Sequence, residues 1–158
     1  MARDPDDGRD ETESERLDRN WNELLQELRV TQTGTQILTG FLLTIPFQQR
    51  FSELEPGQLA IYLVLVAFAV LATILALAPV SIHRALFRQG AKEQMVRTTN
   101  ILLMAAIGCV GVTLIGTSAL IFDVVIGHPA GLIAGIVTAV LTALGWLALP
   151  QLSGRLKA

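Results

Sequence analysis

Three uninterrupted apolar runs organise the chain. Residues 59–80, 101–122 and 130–149 contain no Asp, Glu, Lys, Arg or His. Each is about 20 residues long, and at ~1.5 Å per residue such a helix covers the ~30 Å hydrocarbon layer of a bilayer. A soluble core helix is seldom apolar around its whole circumference over that length. The runs therefore predict three membrane-crossing helices.

A fourth stretch, ELRVTQTGTQILTGFLLTIPFQQRF (residues 27–51), is apolar on average but carries Gln32, Thr33, Gln36, Thr39 and Thr44. Upstream, Thr12 and Glu15 have the T-x-x-E spacing of a capping box, which predicts a helix start. From there to Phe51 the only glycines and proline are Gly34, Gly40 and Pro46, so one long helix or two nearly collinear ones are expected. Its first part places Leu17, Trp21, Leu24, Leu25 and Leu28 at helical spacing among charges, an amphipathic face for the membrane surface or a partner helix. Its second part, about residues 30–48, is expected to cross. Arg29 and Arg50 bracket it at a separation of about 31 Å, and both can extend outward to the headgroups.

The expected architecture is all-α: an integral membrane four-helix bundle whose long first helix is amphipathic on its cytoplasmic side. Residues 1–11 form an acidic tail with too little apolar surface to offset ordering and are expected to be disordered. Residues 12–158 then form one membrane domain with spans at about 30–48, 59–80, 101–122 and 130–149. Residues 52–57 read as a turn-rich loop. The second helix is expected to end near Pro79, with one or two further helical turns over residues 81–90 and Gly90 as terminator. The third begins by Thr98 or earlier and fades at Asp123. A tight loop follows to Pro129, which suits the first turn of the fourth helix, and Pro150 ends that helix.

Charge adds an orientation. The net charge of −2 averages two opposite regions: residues 1–28 hold ten acids against four arginines, whereas residues 84–97 hold Arg84, Arg88, Lys92 and Arg97 against Glu93 alone. Short loops rich in Lys and Arg stay cytoplasmic. With four spans both termini and the middle loop share one side, and that side carries nearly all the positive charge. The basic loop is read as an orientation signal, with a headgroup-binding role as the sharper alternative. The N-terminus is acidic, with no apolar run before about residue 37, so no secretory signal is expected and the first helix is expected to be retained. The weight of Ala, Gly, Val, Leu and Arg fits a GC-rich bacterial gene and hence a bacterial inner membrane. No basic, aromatic-interleaved surface suggests nucleic acid. Cys109, the single cysteine, lies inside an apolar run and reads as a packing residue.

At ~100° per residue, Asn22, Gln26, Arg29, Thr33, Gln36, Gly40 and Thr44 share one face of the first helix. Amides and hydroxyls in hydrocarbon need partners, so this stripe is expected to face the other helices, where hydroxyls such as Thr73, Thr113, Thr117, Ser118, Thr138 and Thr142 or backbone carbonyls could receive it. The candidate seam is Arg29, Gln32, Thr33, Gln36, Thr44 and Gln48. It reads either as a packing seam or as the lining of a path for an ion or polar solute. Small residues on the third and fourth helices, Gly108, Gly111, Gly116, Gly131, Gly135 and Ala139, mark close helix packing within or between chains. Asp123 and His128 flank the outer loop. They read as solvated helix ends, or as a proton-accepting pair if the loop folds back on itself. No HExxH, GxSxG, phosphate loop or metal-ligand spacing is present, so no enzyme, metal or cofactor is expected.

The block ERLDRNWNELLQELRVTQTGTQILTGFLLTIPFQQRF (residues 15–51), continued by APVSIHRALFRQGAKEQMVRTTN (78–100), resembles the signature of small bacterial membrane proteins grouped as a domain family of unknown function. The resemblance implies a multi-pass, non-enzymatic membrane protein and supplies no site. Members of such families are sometimes labelled sodium:proton antiporters. Such antiporters need a membrane-embedded carboxylate, and no span here contains Asp or Glu. The chain is expected to be a structural or interaction component that works through helix association, with the bilayer and a second copy or another membrane protein as partners. A small transporter or channel subunit using the polar seam is the alternative.

Overall fold

The computed structural model describes residues 12–86 and 92–148. The acidic tail, Arg88, Gly90 and Pro150 lie outside the described residues. Four α-helices follow one another: α1 (Glu13–Thr44), α2 (Pro56–Leu86), α3 (Lys92–Val125) and α4 (His128–Ala143), the last extended by a π-helical turn over Leu144–Ala148. Among the described residues there is no strand. Three helical stretches are long and apolar enough to cross a membrane: Pro56–Ile82, Gln94–Val125 and His128–Trp146. They contain most of each of the three apolar runs, and the protein is a membrane protein.

α1 begins at the expected capping box. Thr12 accepts from the Glu15 amide, and the Glu15 carboxylate accepts from the Thr12 amide at 2.8 Å and its hydroxyl at 2.7 Å. These bonds, the hydroxyl one first, hold the Glu15 carboxyl below the usual carboxylate range. α1 is a single helix, but it stops at Thr44 rather than reaching residue 48. Pro46 is the reason: it has no amide proton to donate to the Leu42 carbonyl. Two 3-10 turns, Ile45–Phe47 and Gln49–Glu53, carry the chain on. Tyr62 of α2 donates its hydroxyl to the Leu42 carbonyl at 2.8 Å, supplying the bond that Pro46 cannot.

Pro79 acts differently. α2 does not end there but runs on to Leu86 with the proline buried inside it. An interior proline frees the carbonyl four residues earlier, here that of Leu75, and membrane helices tolerate such prolines more readily than soluble ones. The next carbonyl, of Ala76, accepts the Gln32 amide of α1 at 2.9 Å.

α1 packs against both α2 and α3, α2 against α3, and α4 against α3. Leu42, Tyr62, Leu65, Ala69 and Leu120 form one core cluster; Leu24, Leu28 and Leu103 form a second, where the amphipathic part of α1 lies along the start of α3. The N-terminal part of α1, the end of α2 and the start of α3 thus project together at one end. Because α4 meets α3 and neither α1 nor α2 in close helix packing, the helices do not close a ring around an axis.

Between α3 and α4 the backbones approach through small residues, as their spacing predicts. A Cβ at Gly131 would lie 2.8 Å from the Ala119 carbonyl oxygen, and one at Gly135 3.1 Å from Ala119 Cβ. The α3–α4 loop is only Ile126 and Gly127, and Gly127 has φ +126°, a conformation that suits glycine.

Candidate functional site

Two polar arrangements stand out. The first is on α1, where the sequence-derived seam divides. Gln32 is turned inward onto the Ala76 carbonyl, and Thr39 bonds the Ala69 carbonyl and the Thr73 hydroxyl, both at 3.2 Å. Thr35 is buried, its hydroxyl donating to the Gln32 carbonyl at 3.0 Å. Gln32 and Thr39 stitch α1 to α2.

The rest of the seam corrects the expectation. Arg29, Thr33, Gln36, Gly40, Thr44 and Gln48 are exposed. At ~100° per residue the centre of the stripe lies a third of a turn or more from Leu24, Leu28, Thr35 and Leu42, which are buried. Periodicity correctly identifies a polar stripe but not which way it points. Branched aliphatic side chains at 24, 28, 38, 42 and 45 pack against α2 and α3, and Gln32 is the amide that this face turns inward. The Thr33 and Thr44 hydroxyls satisfy themselves on their own helix, on the Arg29 carbonyl at 2.9 Å and the Phe41 carbonyl at 2.7 Å. Among the described residues nothing hydrogen-bonds the Gln36 amide. A Cβ built on Gly40 meets nothing within 4 Å.

Among the described residues the hydroxyls expected to receive that stripe do not bond to it. Thr113 donates to the Cys109 carbonyl at 2.8 Å and Thr138 to Ser118 at 3.0 Å. The Thr117 hydroxyl is buried with no partner among the described residues.

The packing glycines also sort themselves. Gly111 faces Trp146 and Thr142 of the last helix, Gly116 faces Leu65 of α2, and Gly131 and Gly135 face α3. Ala139 is half-buried on α4, while Gly108 is exposed with open space where a Cβ would sit. Of the basic residues, Arg84 is exposed near the end of α2, Lys92 opens α3, and Arg97 lines a groove with Glu23 and Glu27 of α1.

The second arrangement joins three helices at the opposite end. The α3–α4 loop does fold back: His128 Nδ1 lies 3.0 Å from Asp123 Oδ1. Gln58 of α2 donates its amide to Asp123 Oδ2 at 2.8 Å. The same Gln58 accepts from the Glu55 amide at 3.0 Å, closing the first turn of α2. Asp123 is 15% exposed and His128 80%. Gln58 is absent from the sequence-derived candidates. A signal was available: E-P-G-Q puts Pro at the first helical position and Gln where it can reach back to the cap amide. Its second bond, to a residue 65 positions away, leaves no local trace. Among the described residues no three His, Cys, Asp or Glu side chains converge as a metal site would require.

The chain belongs to the family of unknown function DUF6328, whose family model matches residues 10–150. No curated protein and no solved structure matches it.

Proposed function

We propose that this protein is a non-catalytic membrane component that works by helix association, with the exposed stripe of α1 docking the same stripe of a second copy. The observation that carries this reading is the outward placement of Thr33, Gln36, Gly40 and Thr44. An amide facing hydrocarbon lacks the hydrogen bonds that water would give it. Gln offers both donors and an acceptor, so one stripe is complementary to its own copy across a twofold axis. Gly40, four residues on, supplies the small contact that lets two backbones approach.

In this reading α1 enters the bilayer beside α2, and the chain lies in a bacterial inner membrane with both termini cytoplasmic. Support comes from the grouping of Arg84, Lys92 and Arg97 with the N-terminal part of α1 at one end. A transport role draws less support. The inward polar groups Gln32, Thr39 and Thr73 are engaged with backbone and each other, and α4 does not help close a ring.

Single-molecule photobleaching in supported bilayers over a range of protein densities tests the proposal. Wild type is expected to shift from one-step to two-step bleaching as density rises, and Gly40→Leu to remain one-step. Gly34→Leu is expected to match wild type, since Gly34 lies about 120° from the centre of the stripe. A wild type that is monomeric at every density, or dimers untouched by Gly40→Leu, would overturn the reading.

A further inference from the structure

A groove of about 270 Å³ lies between α3 and α4, with Ile61 of α2 at its edge. Leu120, Leu132 and Ile136 contribute apolar walls, and Asp123 and His128 are the ionisable side chains that line it. The volume is near the lower end for ligand sites, and an apolar cleft with a few convergent polar groups is their usual form. Ile61, Leu132 and Ile136 are all exposed. The groove is therefore open along its side, where lipid chains run beside apolar helices.

Asp123 defines what the groove can hold. A carboxylate is an acceptor with about four lone-pair directions, and here one oxygen takes a bond from Gln58 while the other meets His128. Acceptor capacity remains. The His128 ring, 80% exposed, has room to move aside. A partly desolvated carboxylate favours a cationic donor, repels an anionic head, and gains nothing from an apolar one. A chain entering from the bilayer would stay in hydrocarbon while its head reaches the end of α3.

We propose that this groove is a binding site for an amine-headed phospholipid, with the ammonium on Asp123 and one acyl chain along Leu132 and Ile136. The site is separate from the association face on α1, so either proposal can fail without the other.

Native mass spectrometry of the detergent-purified full chain tests it. The protein is titrated with dioleoylphosphatidylethanolamine or dioleoylphosphatidylglycerol. The amine-headed lipid is expected to bind roughly tenfold more tightly, as the loss of a hydrogen bond to a charged group implies. Asp123→Asn keeps the side-chain shape and is expected to abolish the preference. Leu132→Trp, on an exposed position, fills the groove and is expected to weaken binding of the amine-headed lipid to the level of the other. Circular dichroism and gel filtration establish that each variant is folded. Equal affinity of the two lipids in wild type, a preference surviving Asp123→Asn, or full binding by Leu132→Trp would each overturn the proposal.

Discussion

Gly131→Ala and Gly108→Ala make the same chemical change in the same kind of helix, and the structure separates them. A Cβ at position 131 would sit 2.7 Å from Asp123 Cβ, 3.1 Å from Asp123 Cα and 2.8 Å from the Ala119 carbonyl oxygen. Two non-bonded carbons are best placed about 3.5–4.0 Å apart, so α4 must retreat from α3 by several tenths of an ångström or more. Two of the three contacts are to backbone atoms, which cannot rotate away. Overpacking of this kind costs roughly 1–3 kcal/mol. Against it stands the gain of about 1 kcal/mol from replacing Gly by Ala inside a helix. At Gly108 a Cβ meets nothing within 4 Å, so only the gain applies.

Comparing the two variants cancels the propensity contribution and leaves the overpacking cost, about 1–3 kcal/mol. The assay is reversible unfolding in mixed micelles, titrated with a denaturing detergent and followed by tryptophan fluorescence. Gly108→Ala is expected at or slightly above wild type, and Gly131→Ala clearly below Gly108→Ala. Agreement of the two variants within about 0.5 kcal/mol, the scale of an ordinary surface change, would refute the close α3–α4 approach.

Three further outcomes follow from the same geometry. Tyr62→Phe removes the hydroxyl that serves the Leu42 carbonyl while keeping the ring that meets Phe51 edge-on at 5.2 Å, and should cost about 1 kcal/mol in that unfolding assay; no loss would show that the bond is not made. The folded-state pKa of Glu15 is depressed by its bonds to Thr12, so its contribution to the helix start is present at neutral pH and is lost as pH falls through that lowered value. Amide protection factors at residues 15–19, exchange rates corrected for the intrinsic effect of pH, should fall on acidification in wild type, and much less in Thr12→Ala, whose cap is already weakened; an equal fall in both would refute the cap. In proteoliposomes H⁺, Na⁺ and K⁺ movement should match protein-free vesicles, whereas flux above that level that falls in Gln32→Leu would make the α1–α2 seam a path.

Much of the fold is legible along the chain because its causes are local. The three apolar runs need only length and the absence of charge to predict crossing helices, and Thr12 with Glu15 marks a helix start within four residues. Pro46 ends α1 through local backbone geometry, although the sequence reading carries the helix past it. Pro79 is subject to the same local rule and yet does not end α2, which runs on to Leu86 with the proline buried inside it. The polar stripe of α1 is likewise fixed by periodicity, since ~100° per residue places its members on one face whatever surrounds them. Its direction is not. Periodicity defines an angle between faces, and only the shapes of α2 and α3 decide which face is covered.

The second site follows the same division. Sequence places Asp123 and His128 at the two ends of a short loop and leaves their meeting open. The tertiary structure closes that loop through Gly127, brings Gln58 of α2 to the same carboxylate, and opens the apolar groove beside it. The sequence by itself determined the helices, their approximate limits and the polarity of each face, because these depend on neighbours within a turn or two. Only the tertiary structure decided which faces meet and which polar groups find partners, because those bonds join residues that only packing brings together.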